Sequence, residues 1–485
     1  MNEFILALFD DFHTEKIKYC HFKSNNNLEP ALNGVDDLDL LVSQADKDRF
    51  MSIIAKRGFR LAHDRGEKPT PFVFHFFGAD PETGLLVHLH VYFRLITGGS
   101  ILKNHWIRVE DMLLSSAEPR GPAGVFIPSA EADLILFVLR KLIEQPSIIE
   151  HYLFLKDWKN IETELLWLSR QTSTKKLHEL LKIWLPQIET EFFDECLGAL
   201  TKNSTIAKRV KLGRMMHKRL PFHVCNEFKA SILRSISFFS AHARGRLGLL
   251  RNNRVVFPGG LLISFVGSEA SGKSTCSKQV VKWLSKRFDV THIHMGKPKK
   301  SWRTIPFWLA IGIYSKTKRA TATFVKSAST DLNTETLTAL NQPHPLVSVL
   351  DSYDRKNWIM KHLSHVMSGG VVITDRYPTQ AEVGLDGPRI LATNKFTTFL
   401  SKLEQTNYAV LPPPDLVFKM IAPLDVTLAR NSERDNPEPE PFVRARYALA
   451  QNLHFPLSKV VEIKTTEPLD STILLIKRYL WNLPR

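Results

Sequence analysis

The chain has little cysteine. Its four thiols, Cys20, Cys196, Cys225 and Cys276, lie far apart and form no CxxC pair, which argues against both a disulfide framework and a cysteine-ligated zinc site. Long apolar runs are also missing, since no stretch reaches the roughly 20 residues that a membrane-spanning helix requires. The opening MNEFILALFDDFHTEKIKYC has only a short apolar run followed by acids. It shows no basic leader region and no small-residue cleavage site, so no secretory signal is expected. A reducing, cytoplasmic setting fits these absences. Internal repeats and low-complexity tracts are lacking as well.

What is there belongs to a folded protein: 485 residues, 44% hydrophobic and 24% charged, enough for two or three domains that each bury a core. The formal net charge of +16 calls for anionic substrates or partners. A chain that handles small anions satisfies it, and nucleic acid is not the expected partner. Acids are scarcest between Lys208 and Arg254, where twelve Lys or Arg stand against Glu227. Within it, FKASILRSISFFSAHARGRLG spaces Ile232, Ile236 and Phe239 along one helical face, with Lys229, Arg234, Arg244 and Arg246 elsewhere. Such a basic amphipathic helix either packs on a neighbouring domain or touches a membrane surface.

Hydrophobic patterning divides the chain around this stretch. Residues 1–128 alternate strand-like and helix-like segments, 129–220 read as helical, 221–257 form the basic linker, and 258–485 make a last domain. In that last domain LLISFV, THIHM, GVVITD, DLVFKMIA and KVVEIKT alternate with helical stretches. Short apolar runs separated by helices predict βαβ units and a buried, five-stranded parallel sheet.

The sharpest local signal is FVGSEASGKST, residues 265–275. Gly267, four residues, then Gly272-Lys273-Ser274 satisfy a phosphate-loop pattern between an apolar strand and an amphipathic helix. Backbone N–H groups from Ser268, Glu269, Ala270, Ser271 and Gly272, with the helix N-terminus, can converge on phosphate oxygens. Lys273 reaches the β- and γ-phosphates, Ser274 offers a hydroxyl to Mg²⁺, and Thr275 sits near the α-phosphate. A later strand, VVITDRYP, ends in Asp375 and Arg376, placing an acid for metal water or acceptor and a guanidinium for a transferring phosphoryl group beside the ligand crevice. TLARNSERDNPEPEPFVRARY carries Arg430, Arg434, Arg444 and Arg446, suited to a lid that excludes water.

Together, the phosphate loop, DRY after a later strand, PDLVFKMIAPLDVTLAR and the arginine segment resemble the thymidylate kinase family over roughly residues 258–485. The resemblance implies an α/β P-loop kinase fold and transfer of the γ-phosphoryl group of ATP, with Mg²⁺, to an acceptor. Lys273 and Ser274 match its nucleotide positions, Asp375 and Arg376 its DR[YH] pair, and Arg430 and Arg434 its lid arginines. Ser274 and Asp375 would then hold the metal. The acceptor side departs from the family: Glu269-Ala270 stand where Asp-Gly is usual, and PTQAEVGLDGPR follows DRY. Asp386 and Arg389 in that turn, Lys297 in HMGKPKKSW, and Asp354 and Arg355 in LDSYDRKNW are the candidate acceptor contacts. This variant pattern is similar to thymidylate-kinase-like proteins associated with surface polysaccharides, so the acceptor stays open between a nucleoside monophosphate and a sugar- or glycan-linked group.

The N-terminal half poses a second chemistry. In NGVDDLDLLVS, Asp37 and Asp39 fall on one face of a strand and can share a divalent metal. With Lys23-Ser24 before them, they resemble the DxD strand of nucleotidyltransferase-like α+β domains. The later GLLVHLHVYF places His88 and His90 where the third acid would lie, which weakens a magnesium site. Three readings therefore stand: a kinase with a binding domain, a nucleotidyltransferase whose phosphate loop senses ATP, and a nucleotide-switched binding protein.

Overall fold

The computed structural model describes residues 1–65, 70–99, 102–121, 123–144, 154–201, 204–220, 254–296, 298–311, 345–379 and 385–483. The chain forms two compact units, Met1–Arg251 and Asn252–Arg485.

The first unit opens with α1 (Glu3–Thr14), capped by Asn2, whose side chain accepts from the Ile5 N–H. Then come β1 (Tyr19–His21), α2 (Glu29–Leu32), β2 (Leu38–Val42), α3 (Lys47–Lys56), β3 (Arg60–Asp64), β4 (Val73–Ala79) and β5 (Leu86–Tyr92). These strands lie in the order β1-β2-β5-β4-β3. β2 runs parallel to β5 while the other pairings are antiparallel, so the sheet is mixed. Phe9 and Phe12 of α1, Phe50 of α3 and Leu38 and Leu40 of β2 share one core. Two short hairpins follow, β6 (Ile96–Gly99) with β7 (Leu102–Trp106) and, after α4 (Glu110–Ser115), β8 (Glu118–Arg120) with β9 (Val125–Ile127).

The remainder of this unit is helical: α5 (Ala130–Ile143), α6 (Trp158–Gln171), α7 (Thr174–Trp184), α8 (Thr190–Ala199) and α9 (Ile206–Arg219). α5 is apolar around its circumference, from Leu134 through Val138 to Ile143. It can satisfy that pattern only at the centre of a bundle, and α6 to α9 pack around it. The basic amphipathic helix expected at 229–246 lies outside the described residues.

The second unit is the expected α/β fold. After β10 (Arg254–Val255), it runs β11 (Leu261–Gly267), α10 (Lys273–Leu284), β12 (Val290–His294), α11 (Pro345–Met367), β13 (Val371–Asp375), α12 (Lys395–Ala409), β14 (Leu416–Ile421), α13 (Leu424–Ser432), α14 (Glu440–Gln451), β15 (Lys459–Lys464) and α15 (Leu469–Trp481). Five strands pair in the order β12-β13-β11-β14-β15, all parallel. Every residue of β11 is buried, as befits a strand covered on both faces. α10 keeps Cys276, Val280 and Leu284 inside, on the stripe that the sequence spacing predicts. Because β13 and β14 flank β11, the chain reverses direction across the sheet there. The C-terminal ends of these strands open a crevice at that switch. Among the described residues, no helix is long and apolar enough to cross a membrane.

Candidate functional site

The loop between β11 and α10 takes its shape from its glycines. Gly267 has φ 143°, and a Cβ there would lie 2.4 Å from the Met420 carbonyl oxygen. Gly272, at φ 87°, is the N-cap of α10, so the chain turns through a left-handed residue directly into the helix. Ala270 is also left-handed, at φ 53°, which costs a non-glycine residue roughly 1 kcal/mol. Such strain is characteristic of backbone shaped by a ligand site. A cavity of about 460 Å³ lies over the loop, walled by Ser271 to Cys276 on one side and by Arg430, Glu433, Arg434, Thr465 and Glu467 on the other. The unpaired N–H groups of the first turn of α10 make this end attractive to anions.

Lys273 is buried beneath the cavity. Its ammonium donates to the Ser268 carbonyl oxygen and approaches Ser271 Oγ at 3.4 Å. Burial and the nearby Arg376 guanidinium bring it down to about 8, so it is a charged group held under stress near neutral pH. Asp375 closes β13 at the same edge. Burial pushes its carboxyl up, but the nearby His292, Ser277 and Ser274 side chains outweigh that and hold it at about 2. The Ser274 side chain lies on the same side of the sheet edge as that carboxylate. His292 Nε2 stands 3.3 Å and His294 Nδ1 3.5 Å from that carboxylate. Both histidines come from β12, whose pairing sets His294 opposite Asp375.

Beside this point two acids are knotted into arginines. Arg376, itself left-handed at φ 71°, pairs with Glu269 and, at 3.3 Å, with Asp386. Arg446 reaches the same two carboxylates, 3.0 Å from Glu269 and 3.9 Å from Asp386. Arg389 lies 3.9 Å from Asp386 and Arg434 3.9 Å from Glu269. Burial alone would raise the Glu269 carboxyl, yet Arg376, Lys273 and Arg446 keep it at about 2. Asp386 is likewise held low against its burial, by Arg376, Arg355, Arg446 and Arg389.

The other residues picked out from sequence take varied positions. Arg430 lines the cavity and donates to Thr465 Oγ1 at 3.1 Å and to the Thr465 carbonyl oxygen at 2.6 Å. Arg355 is buried and braces the Asp386 turn, donating to the carbonyl oxygens of Met295 and Asp386 and to the Tyr408 hydroxyl. Asp354, one residue earlier, is turned away. It accepts from the Ser301 N–H, the Thr304 hydroxyl and Trp308 Nε1, so its oxygens are taken up by the chain itself. Arg444 pairs with Glu440 on the exposed side of α14. Lys297 lies outside the described residues. His292 and His294 went unnoticed because THIHM reads simply as a strand; the signal was their i, i+2 spacing at a strand's C-terminal end.

In the first unit Asp37 and Asp39 face β5, as their spacing predicts, but their partners are cations and histidines. His88 Nδ1 lies 2.9 Å from Asp37 and His90 Nδ1 2.9 Å from Asp39, while the Lys23 ammonium also sits on Asp39. Burial would raise the Asp39 carboxyl, but Lys23 and His90 hold it well below the usual range. Lys23 and His90 both engage Oδ1 of Asp39, so part of this carboxylate is already taken up by cationic and imidazole partners. Among the described residues, no group of three or more His, Cys, Asp or Glu is arranged to hold a metal. The DxD pair is thus engaged by Lys23, His88 and His90 rather than grouped with a third acid.

Fold and site together define the second unit as a P-loop-like α/β domain. No protein-family model matches the chain. Its similarity is to the uncharacterized ATP-binding protein YghR of Escherichia coli, strain K12, at 23% identity over 224 residues, 44% of this chain and 83% of the relative. The YghR protein of Escherichia coli O6:H1 matches to the same extent.

Proposed function

We propose that the protein is an ATP- and Mg²⁺-dependent phosphotransferase of the thymidylate-kinase-like type, acting in the cytoplasm. The observation that carries this reading is the placement of Lys273, Ser274, Arg430 and Arg434 around one cavity, with Asp375 at the end of the neighbouring strand close to Ser274. The relative named as an ATP-binding protein supports the nucleotide. Free, buried Cys20, Cys196 and Cys276 suit a reducing compartment.

The residues present fit a magnesium ion, which Ser274 and Asp375 would hold. Phosphoryl-transfer sites need few protein ligands because the phosphates supply the rest. When bound, the ion would neutralise charge on the phosphate oxygens. Lys273 supplies a further positive charge at the β- and γ-phosphates, and α10 offers its N–H groups. Arg430 and Arg434 bracket the nucleotide, and Arg376 stabilises charge on the group in transit. His292 beside Asp375 favours its ionised form.

On the acceptor side, Arg376, Arg389 and Arg446 suit an anion. Glu269 and Asp386 hold them in place and can accept from an acceptor hydroxyl. A nucleoside monophosphate satisfies both demands, and a phosphorylated sugar or glycan-linked group is the alternative. The N-terminal unit, with Lys23 and His90 paired to Asp39 of its DxD strand, is assigned a binding role. The test incubates the full chain with γ-labelled ATP and a panel of nucleoside monophosphates, nucleosides and sugars. Label is expected on an anionic acceptor, and Lys273→Ala should abolish it with the fold intact. Unchanged turnover in that variant would refute the assignment.

A further inference from the structure

Residues 298–311 follow β12 and contain a helical stretch over 305–311. Their inward side is polar. Thr304 is buried and, with Trp308, donates to Asp354 on α11 at 2.7 and 3.0 Å, while the Ser301 N–H donates to the same carboxylate at 2.9 Å. This anchoring fixes what faces outward: Trp302 is 75% exposed, Leu309 63%, Phe307 60% and Ile305 44%. Positions 302, 305 and 309 share one side at helical spacing. The usual arrangement of a surface helix, apolar stripe in and polar face out, is inverted.

Positive charge frames this face. Lys299, Lys300 and Arg303 are exposed, and 298–311 contains no acid. Arg303 lies 5.3 Å from the exposed Trp302 ring, while Lys300 lies 4.3 Å from Trp308 and Lys299 4.9 Å from Trp358, both partly buried behind the patch. Asp351 of α11 is within electrostatic range of Lys300 and offsets part of its charge.

We propose that this face seats on an anionic lipid surface. Trp, Phe and Leu side chains favour the boundary between headgroups and acyl chains, and Lys and Arg are drawn to anionic headgroups. Charge disfavours a second copy as the occupant. A two-fold pairing of the face would set Lys299, Lys300 and Arg303 against their own counterparts, and 298–311 supplies no carboxylate to relieve the repulsion. The inference is independent of the phosphotransferase reading, because no residue of the face belongs to the phosphate loop or the arginine knot.

The test is cosedimentation of the full chain with phosphatidylcholine vesicles that contain phosphatidylglycerol, against phosphatidylcholine alone. Binding to the anionic vesicles is expected to be about tenfold tighter and to weaken as salt is raised. The double variant Trp302→Ala/Leu309→Ala should lose about tenfold in affinity, and Lys299→Gln/Lys300→Gln/Arg303→Gln should lose the anionic preference. These side chains are exposed, so the far-UV circular dichroism and nucleotide binding of the variants should match the parent. No vesicle binding, equal binding to both compositions, or undiminished binding by the Trp302→Ala/Leu309→Ala variant would overturn the proposal. A dimer that dissociates in that variant would do so too, by assigning the face to a second copy.

Discussion

Arg446 Nε lies 3.0 Å from Glu269 Oε1, a contact that ties α14 to the phosphate loop. Arg376 binds the same carboxylate from the end of β13, so Glu269 joins three segments distant in sequence. It also offsets the positive charge crowded around Lys273.

Replacing Glu269 by Gln should therefore destabilise the second unit by about 3 kcal/mol at pH 7, because buried guanidinium groups are left uncompensated. The sign with pH follows from a folded value of about 2, below the ordinary 4.5. The stabilisation is fully present above about pH 4.5 and is lost as pH falls toward 2. Urea unfolding at pH 7 and pH 3 checks this: the gap between parent and variant should shrink at the lower pH. A gap of equal size at both would remove the electrostatic explanation.

Lys273 predicts proton uptake. At about 8 in the free protein, it is partly neutral just above that pH, whereas bound phosphates favour its charged form. Calorimetric titration with ATP near pH 8.5, in two buffers of different ionisation enthalpy, should show uptake of about half a proton or more. Uptake from this group should fade near pH 6.5. Buffer-independent heats at the higher pH would mean that Lys273 does not meet the phosphates. In the unliganded chain the same depression makes the unfolded state bind more protons between about 8 and 10.5, so this group's contribution to stability rises with pH across that window.

The buried Asp133 offers an opposite sign. Burial pushes its carboxyl up to about 7, although Asn25 donates to it at 2.8 Å. The native state then holds a proton that the unfolded state releases between about pH 4 and 7, and stability falls with rising pH across that range. Asp133→Asn keeps a neutral acceptor for Asn25. It should stabilise the first unit by about 2 to 4 kcal/mol at pH 8 and have little effect at pH 4. Thermal unfolding at the two pH values measures it. Destabilisation at pH 8 would show that the carboxylate is needed charged.

Local spacing made much of the second unit legible. GVVITD and DLVFKMIA read as buried parallel strands because continuous apolar runs have few other uses, and the five-stranded parallel sheet follows. The phosphate loop needs only eight consecutive positions. Tertiary pairing was not readable in the same way: the register that brings His294 opposite Asp375 is set by the sheet, not by either segment. Arg446 stood among four arginines in one segment. Sequence alone could not tell that it would reach Glu269 and Asp386 while Arg444, two residues earlier, paired with Glu440. The DxD strand shows the converse. Its spacing set both acids toward β5, but the chemistry was decided by Lys23 and the histidines facing them. The clue was visible as Lys-Ser before the strand and histidine where a third acid was expected.

Two aspartates, one in each unit, test where the proposed chemistry occurs. Asp375→Asn removes the charge that meets Ser274 and the two β12 histidines. It should lower ATP-dependent phosphoryl transfer about 100-fold, the scale lost when one charge-stabilising group is deleted, with a smaller change in ATP affinity because the loop amides and Lys273 remain. Asp39→Asn leaves the buried Lys23 ammonium without its counter-charge and should destabilise the first unit by about 3 kcal/mol. Transfer by the folded fraction should stay within about twofold of the parent, as expected when the two units contribute independently. Single-turnover rates with γ-labelled ATP, normalised to folded protein by circular dichroism, separate the two. If Asp39→Asn stopped transfer while Asp375→Asn did not, the reaction would belong to the N-terminal unit and the phosphate loop would serve as a nucleotide sensor.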